Sequence, residues 1–166
     1  MLFQTDTERD AKLSECGRYR FWLTRRWGEG PAMLFIALNP SKADACQDDP
    51  TLRRMMAFAR REKFAAVEVV NLFALRSTDP AALALYPDPV GDSNDEEIRC
   101  AASRAGRIVA AWGCDGTLHD RDRAVMELLR GLDVYCLGTT KDGHPRHPLY
   151  VAGNQPLAPF GGRPCR

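Results

Sequence analysis

Four short segments carry the side chains best suited to chemistry. The first, Asn39-Pro40-Ser41-Lys42-Ala43-Asp44, follows the apolar run Met33–Leu38. Proline stiffens it and keeps Asn39 out of the helical conformation. The Asn39 amide both donates and accepts, so it can orient a water, grip a polar ligand or satisfy a turn. The second, Asn71-Leu72-Phe73-Ala74-Leu75-Arg76, again places an amide after an apolar run. An amide there suits the edge of a base, while Phe73 can stack on a ring or fill the core. The third is Trp112-Gly113. Gly113 permits close backbone approach, and Trp112 is either a platform or core. The fourth, Gly138 to Tyr150, holds His144-Pro145 and His147-Pro148, and with them two of the chain's three histidines. Neutral histidine can donate to a carbonyl oxygen that gathers negative charge.

Charged residues add to this set. Asp44, Asp48 and Asp49 cluster beside the first segment, where one can serve as a general base for water. Asp49 is also placed to cap a helix, whereas Asp48 has no evident structural duty. Arg53, Arg54, Arg60, Arg61 and Lys63 follow. Arg53 shares a helix face with Arg60, and Arg54 with Arg61, so the helix can meet phosphates or simply face solvent. The candidate chemical groups are therefore Asn39, Asp44, Asp48 and His147. The candidate binding groups are Pro40, Ser41, Lys42, Arg53, Asn71, Phe73, Trp112, Gly113, His144 and Pro148.

These segments need strands that end where they begin. Residues 1–15 are polar and irregular and read as a loose lead-in. Arg18–Trp27 alternates in the manner of a strand, Gly28-Glu29-Gly30-Pro31 is a turn, and Met33–Leu38 is an apolar run suited to a strand buried on both faces. The short turn makes the two an expected antiparallel pair. Asp49-Pro50 opens a helix striped by Leu52, Met55, Met56 and Ala59. Strands are expected at Ala66–Leu72, Arg107–Trp112 and Asp133–Gly138. Between them come a short helix after Thr78-Asp79-Pro80, a helix opened by the capping box Ser93-Asn94-Asp95-Glu96, and an amphipathic helix over Leu118–Arg130 that Gly131 can end. The tail from Val151, rich in Gly and Pro, is expected on the surface. Strands alternating with helices imply an α/β fold, a three-layer α/β/α sandwich with a mostly parallel sheet plus an N-terminal antiparallel strand. Ligands of such sheets bind beyond the carboxyl ends of the strands, which is where all four segments fall.

The 166 residues suit a single domain, residues 1–166, with peripheral segments at 1–15 and 151–166. The net charge of +1 gives no general attraction for nucleic acid, so any such role must rest on a local patch. The six cysteines form no C-x-x-C pair, and no Cys/His cluster has zinc or iron–sulfur spacing, so no metal or other cofactor is expected. The amino-terminal residues do not read as a signal peptide, and no stretch reaches roughly 18 apolar residues, so neither export nor a membrane span is expected. Reduced thiols in a cytoplasmic protein are the corresponding expectation.

The order Leu38-Asn39-Pro40-Ser41-Lys42-Ala43-Asp44, Asp48-Asp49-Pro50-Thr51-Leu52-Arg53-Arg54, Asn71-Leu72-Phe73-Ala74-Leu75-Arg76, Ala110-Ala111-Trp112-Gly113 and His147-Pro148-Leu149-Tyr150 resembles the bacterial domain-of-unknown-function family 1643, from about Arg18 to Tyr150. More distantly, the chain resembles the uracil-DNA glycosylase superfamily. Ala37-Leu38-Asn39-Pro40 is similar to its Gly-x-Asn-Pro motif, with alanine for the glycine. Asn71 is similar to its base-reading asparagine. His147-Pro148-Leu149-Tyr150 is a partial match to its His-Pro-Ser-Pro loop. That resemblance implies hydrolysis of the N-glycosidic bond of a damaged or modified base in DNA, flipped into a pocket. Asn71 would read the base, His147 would stabilise its departing charge, and Asn39 would position water with Asp44 or Asp48 as auxiliary base. The alternative is a module that binds a nucleotide or modified base without cleaving it.

Overall fold

A computed structural model describes residues 6–41 and 43–165. Lys42, a candidate binding residue, lies outside the described residues. The chain is α/β, with seven strands in one sheet and four helices among the described residues. The strands are β1 (Glu8–Leu13), β2 (Arg20–Arg26), β3 (Met33–Ala37), β4 (Ala66–Asn71), β5 (Arg107–Ala110), β6 (Val134–Cys136) and β7 (Ala158–Pro159). The helices are α1 (Pro50–Arg61), α2 (Ala81–Leu85), α3 (Asn94–Arg104) and α4 (Arg121–Leu128).

The strand order is β1-β2-β4-β3-β5-β6-β7. The four central strands β4, β3, β5 and β6 run parallel, while β1–β2, β2–β4 and β6–β7 pair antiparallel. The sheet is thus mixed, which corrects the expectation of a mostly parallel one. The expected β2–β3 hairpin also does not form: β2 pairs with β4, placing Leu23 opposite Val69. A short connection allows a hairpin but does not compel one, and β3 is saturated on both edges by β4 and β5. Two segments assigned to the periphery join the sheet edges. Polar β1, over residues read as a lead-in, is an edge strand largely facing solvent. In the tail, β7 pairs with β6, and Val151 and Phe160 are buried.

The interior strand β3 is buried on both faces, and its side chains alternate between two apolar clusters. Leu34 and Ile36 join Ile98 and Ala101 of α3 and Val125 of α4, whereas Met33, Phe35 and Ala37 join Leu52, Met55, Phe58 and Ala59 of α1. Phe58, not Met56, completes the buried stripe of α1, because positions 52, 55 and 59 share their face with 58.

Helix starts follow the sequence in part. Asp49 caps α1, its Oδ1 accepting from Leu52 N at 2.8 Å. The capping box at Ser93 does not form: Ser93 makes no side-chain cap bond, and Asn94 turns inward instead. The last expected helix starts late. A 3₁₀ segment, Gly113–Asp120, ends in His119 and Asp120 with φ of 54° and 51°, and α4 begins only at Arg121. The left-handed pair breaks the helical register that the apolar spacing suggested.

Candidate functional site

A cavity of about 660 Å³ opens at the carboxyl ends of β3, β4 and β5. Its wall takes Asn39 and Ser41 from the loop after β3, Asn71 from the end of β4, Trp112 and Gly113 from the end of β5, and His147 from the loop after β6. Six candidates from four separate segments therefore share one cavity. Its size suits a ligand of nucleoside dimensions.

Asn71 is the last residue of β4 and only 1% exposed, yet neither Nδ2 nor Oδ1 has a protein partner. Leaving a buried amide unsatisfied costs free energy, and native structures do it seldom. The Trp112 indole Nε1 is also buried and unpartnered, but it lies beside Gly116 and Leu72 in the core cluster that holds Phe160. Its ring is fixed edge-on against Phe160, with centroids 5.7 Å apart. Gly116 is needed beneath it, since a Cβ there would lie 2.4 Å from Trp112 Cδ1. Gly113, at φ 75°, turns the chain out of β5 in a conformation that disfavours other residues, and its N–H donates to Pro145 O at 2.9 Å. This brings the β5 exit against the histidine loop.

His147 is half-buried, and burial pushes its pKa below the ordinary value, with nearby Asp49 opposing the shift. Its Nδ1 accepts from Leu149 N at 3.2 Å. The neutral ring therefore carries its proton on Nε2, which is a donor. The loop is clamped onto α1 by Arg54, whose guanidinium donates to Pro148 O at 3.2 Å and to Val151 O.

Asn39 is already committed on one side. Its Nδ2 donates to Ser77 O at 2.9 Å and Pro40 O at 3.1 Å, tying together the loops that follow β3 and β4. Only its Oδ1 remains to meet a ligand or water. Ser41 donates its hydroxyl to Asp49 Oδ2 at 3.1 Å.

Asp49, which caps α1, also lines this cavity, as does Asp115. Asp44 and Asp48 do not line it. Asp44 Oδ1 accepts from Cys46 N and Gln47 N at 2.7 and 2.8 Å, and these bonds hold its pKa below the usual carboxylate range. Asp48 accepts from Arg25 Nε at 2.8 Å and Arg9 Nη1 at 3.1 Å. The carboxylate thought to lack a structural duty is thus an ion-pair partner. Phe73 is fully buried in the core beside Leu34 and Ile98. Pro40, Arg53, His144 and Pro148 are also outside the cavity wall. Arg53 is exposed and donates to Asp48 O. The other arginines of α1 are occupied: Arg60 stacks on Trp27 at 4.0 Å, and Arg61 donates to Gly153 O and Gln155 O.

Several wall residues were missed. Arg20, at the start of β2, is 4% exposed and faces the cavity beside Asp49. Burial lowers its pKa to about 10, against the pull of Asp49. It lies in the alternating segment Arg18–Trp27, and alternation alone does not say what covers each face of a strand. Thr51, Ser77, Thr78, Cys114, Asp115, Thr140, Lys141, Arg146 and Tyr150 add to the polar surroundings. They lie within the segments singled out or next to them, but loop residues carry no periodicity that reveals their direction. Among the described residues, no group of three or more His, Cys, Asp or Glu is placed to hold a metal ion.

The family model for protein of unknown function (DUF1643) matches residues 20–149. The chain belongs to that family. The match begins at Arg20 and ends just past His147, so it spans the segments that build the cavity. No curated protein and no solved structure matches the chain. No helix among the described residues is long and apolar enough to cross a membrane.

Proposed function

We propose that the cavity takes a nucleobase, and that the protein hydrolyses the N-glycosidic bond of a damaged or modified base in DNA, in the manner of the uracil-DNA glycosylases it resembles. The observation that carries this reading is Asn71: a buried amide in a ligand-sized cavity with donor and acceptor both unused. One base edge that presents an acceptor beside a donor would satisfy both.

In the proposed reaction a nucleotide is flipped into the cavity. The C1′–N bond breaks, with its electron pair departing on the base. His147 Nε2–H donates to the base carbonyl oxygen on which that charge gathers. The sugar left behind resembles an oxocarbenium ion, which the Asp49 carboxylate stabilises by charge. Water oriented by Asn39 Oδ1 adds at C1′ and gives up a proton to Asp49; that proton then passes through solvent to the base anion, which leaves free base, an abasic sugar and the restored carboxylate. Asp49 thus takes the auxiliary-base role, since Asp44 and Asp48 face elsewhere.

One observation favours the alternative of a binding module. The amide nitrogen of Asn39 is consumed by Ser77 O and Pro40 O, which leaves the water site with few groups to hold it. Single- and double-stranded oligonucleotides carrying a panel of damaged and modified bases decide between the two. The glycosylase reading predicts release of free base by the wild type, lowered about 10²–10⁴-fold in His147→Ala. Binding of a modified base with no release anywhere in the panel would establish the binding module instead.

A further inference from the structure

The cavity holds one buried charge that the proposed chemistry does not use. The Arg20 guanidinium has five N–H donors in a planar fork. Within the protein, Nη1 donates to the Ala43 carbonyl and Nε has no partner. Among the described residues no carboxylate lies within 4.0 Å of it. Asp49 and Asp44 attract it from further away, while Arg25 and Arg76 repel it. A buried cation without a close counter-ion is costly, so something must compensate it.

The other buried arginines of this chain show that the fold can satisfy a guanidinium fully. Arg25 has the Asp48 carboxylate and the carbonyls of Thr24, Asp44 and Gln47. Arg121 has the Asp95 carboxylate and the Leu72 carbonyl. Arg20 differs from both in facing the cavity. The remaining charges on the cavity wall are Lys141 and Arg146 against Asp49 and Asp115, so Arg20 tips the balance positive.

We infer that Arg20 forms an oxyanion subsite in this cavity, so that the ligand whose base Asn71 reads also carries a negatively charged group. The guanidinium fork matches the paired oxygens of a phosphate or carboxylate and binds them through charge-assisted hydrogen bonds. That group is either the phosphate of a nucleotide or an acidic substituent on the base. The inference rests on the nucleobase reading of the cavity.

Titration calorimetry on the full chain tests it with matched pairs. Each common nucleoside is compared with its 5′-monophosphate, and uracil with its 6-carboxylated form. Inorganic phosphate is the base-free probe. In at least one pair the anionic member should bind at least tenfold tighter, and Arg20→Gln should abolish that difference. A gain confined to the monophosphates identifies phosphate as the group; a gain confined to the carboxylated base identifies the substituent. In the wild type, the side-chain Nε–H resonance of Arg20 should shift with the anionic member and not with the neutral one, a readout that needs no variant to fold. Equal affinities within every pair, an advantage that survives Arg20→Gln, or an unmoved Nε–H resonance overturns the subsite. If only inorganic phosphate binds, and Arg20→Gln loses it, the subsite stands and the nucleobase reading falls. If neither phosphate nor any base-bearing compound binds, both fall.

Discussion

Arg20 and Arg25 lie five residues apart on β2, and both are buried, at 4% and 0% exposure. Arg25 is saturated: its fork closes on Asp48 and three backbone carbonyls and so ties the 44–48 loop to the sheet. Arg20 keeps one carbonyl and faces the cavity. The same contrast recurs in a pair of buried asparagines. Asn94 Nδ2 donates to Asn71 O at 2.9 Å and Leu72 O at 3.1 Å, holding α3 to the end of β4, although its Oδ1 lacks a partner. Asn71 uses neither side-chain atom within the protein. Buried polarity in this molecule is thus of two kinds. One kind is spent on the fold and the other, on the proposed reading of the cavity, serves a ligand; the two should respond differently to substitution.

Stability measurements on the arginines expose the largest difference. Arg25→Met leaves Asp48 with the exposed Arg9 alone and takes their donor from the carbonyls of Thr24, Asp44 and Gln47, so it is expected to cost about 3–5 kcal/mol in chemical denaturation. Arg20→Met removes a costly buried charge together with one hydrogen bond, and stability should stay within about 1 kcal/mol of the wild type. Comparable losses in the two variants would break the comparison. The asparagines offer a smaller version. Asn94→Ala removes both of these bonds, although Leu72 O keeps Arg121 Nε as a donor, and is expected to cost about 1–3 kcal/mol. Asn71→Ala should leave the unfolding midpoint nearly unchanged while abolishing base binding by calorimetry.

Asp49 belongs to both kinds, which sharpens the distinction. Asp49→Ala loses the α1 cap, a loss of about 1 kcal/mol, and Asp49→Ser should recover most of that stability without recovering base release. The smallest effect is the pH dependence of His147. Its folded pKa lies below the ordinary value of 6.5, so the unfolded chain binds more protons in the window between the two. Stability should therefore fall as pH drops through and below about 6.5, and stay level above it. His147→Gln should remove that part of the slope, as read from thermal midpoints across pH 5 to 8.

The positions of Asn39, Asn71, Trp112-Gly113 and His147 were legible because each follows an apolar strand, and the ends of parallel strands share one rim. The central strands were legible for the same reason. Arg20 was not, since alternation reports which residues face opposite ways but not what covers each face. Covered by the 43–49 loop, an apparent solvent face became an interior one. Strand β1 escaped notice because an edge strand in water needs no apolar pattern, and β7 because two residues carry none. Arg54 and Arg61 of α1 presented a charge pattern without its partners: their acceptors are carbonyls of 148–155, about ninety residues away in sequence. Asp48 and Asp49 exchanged roles for a similar reason, as adjacent carboxylates point in different directions once the helix begins.

The central claim is that Asn71 is held open for a base, and the side-chain amide signals of the two buried asparagines test it most directly. Isotope-labelled wild-type protein is titrated with nucleosides and modified-base analogues, with the side-chain NH₂ resonances of Asn71 and Asn94 followed together. The account predicts that at least one of these compounds shifts the Asn71 pair saturably, while the Asn94 pair stays in place. If the Asn71 pair is unmoved by every compound, or if Asn94 moves equally, Asn71 is not a base-reading residue and the account is contradicted.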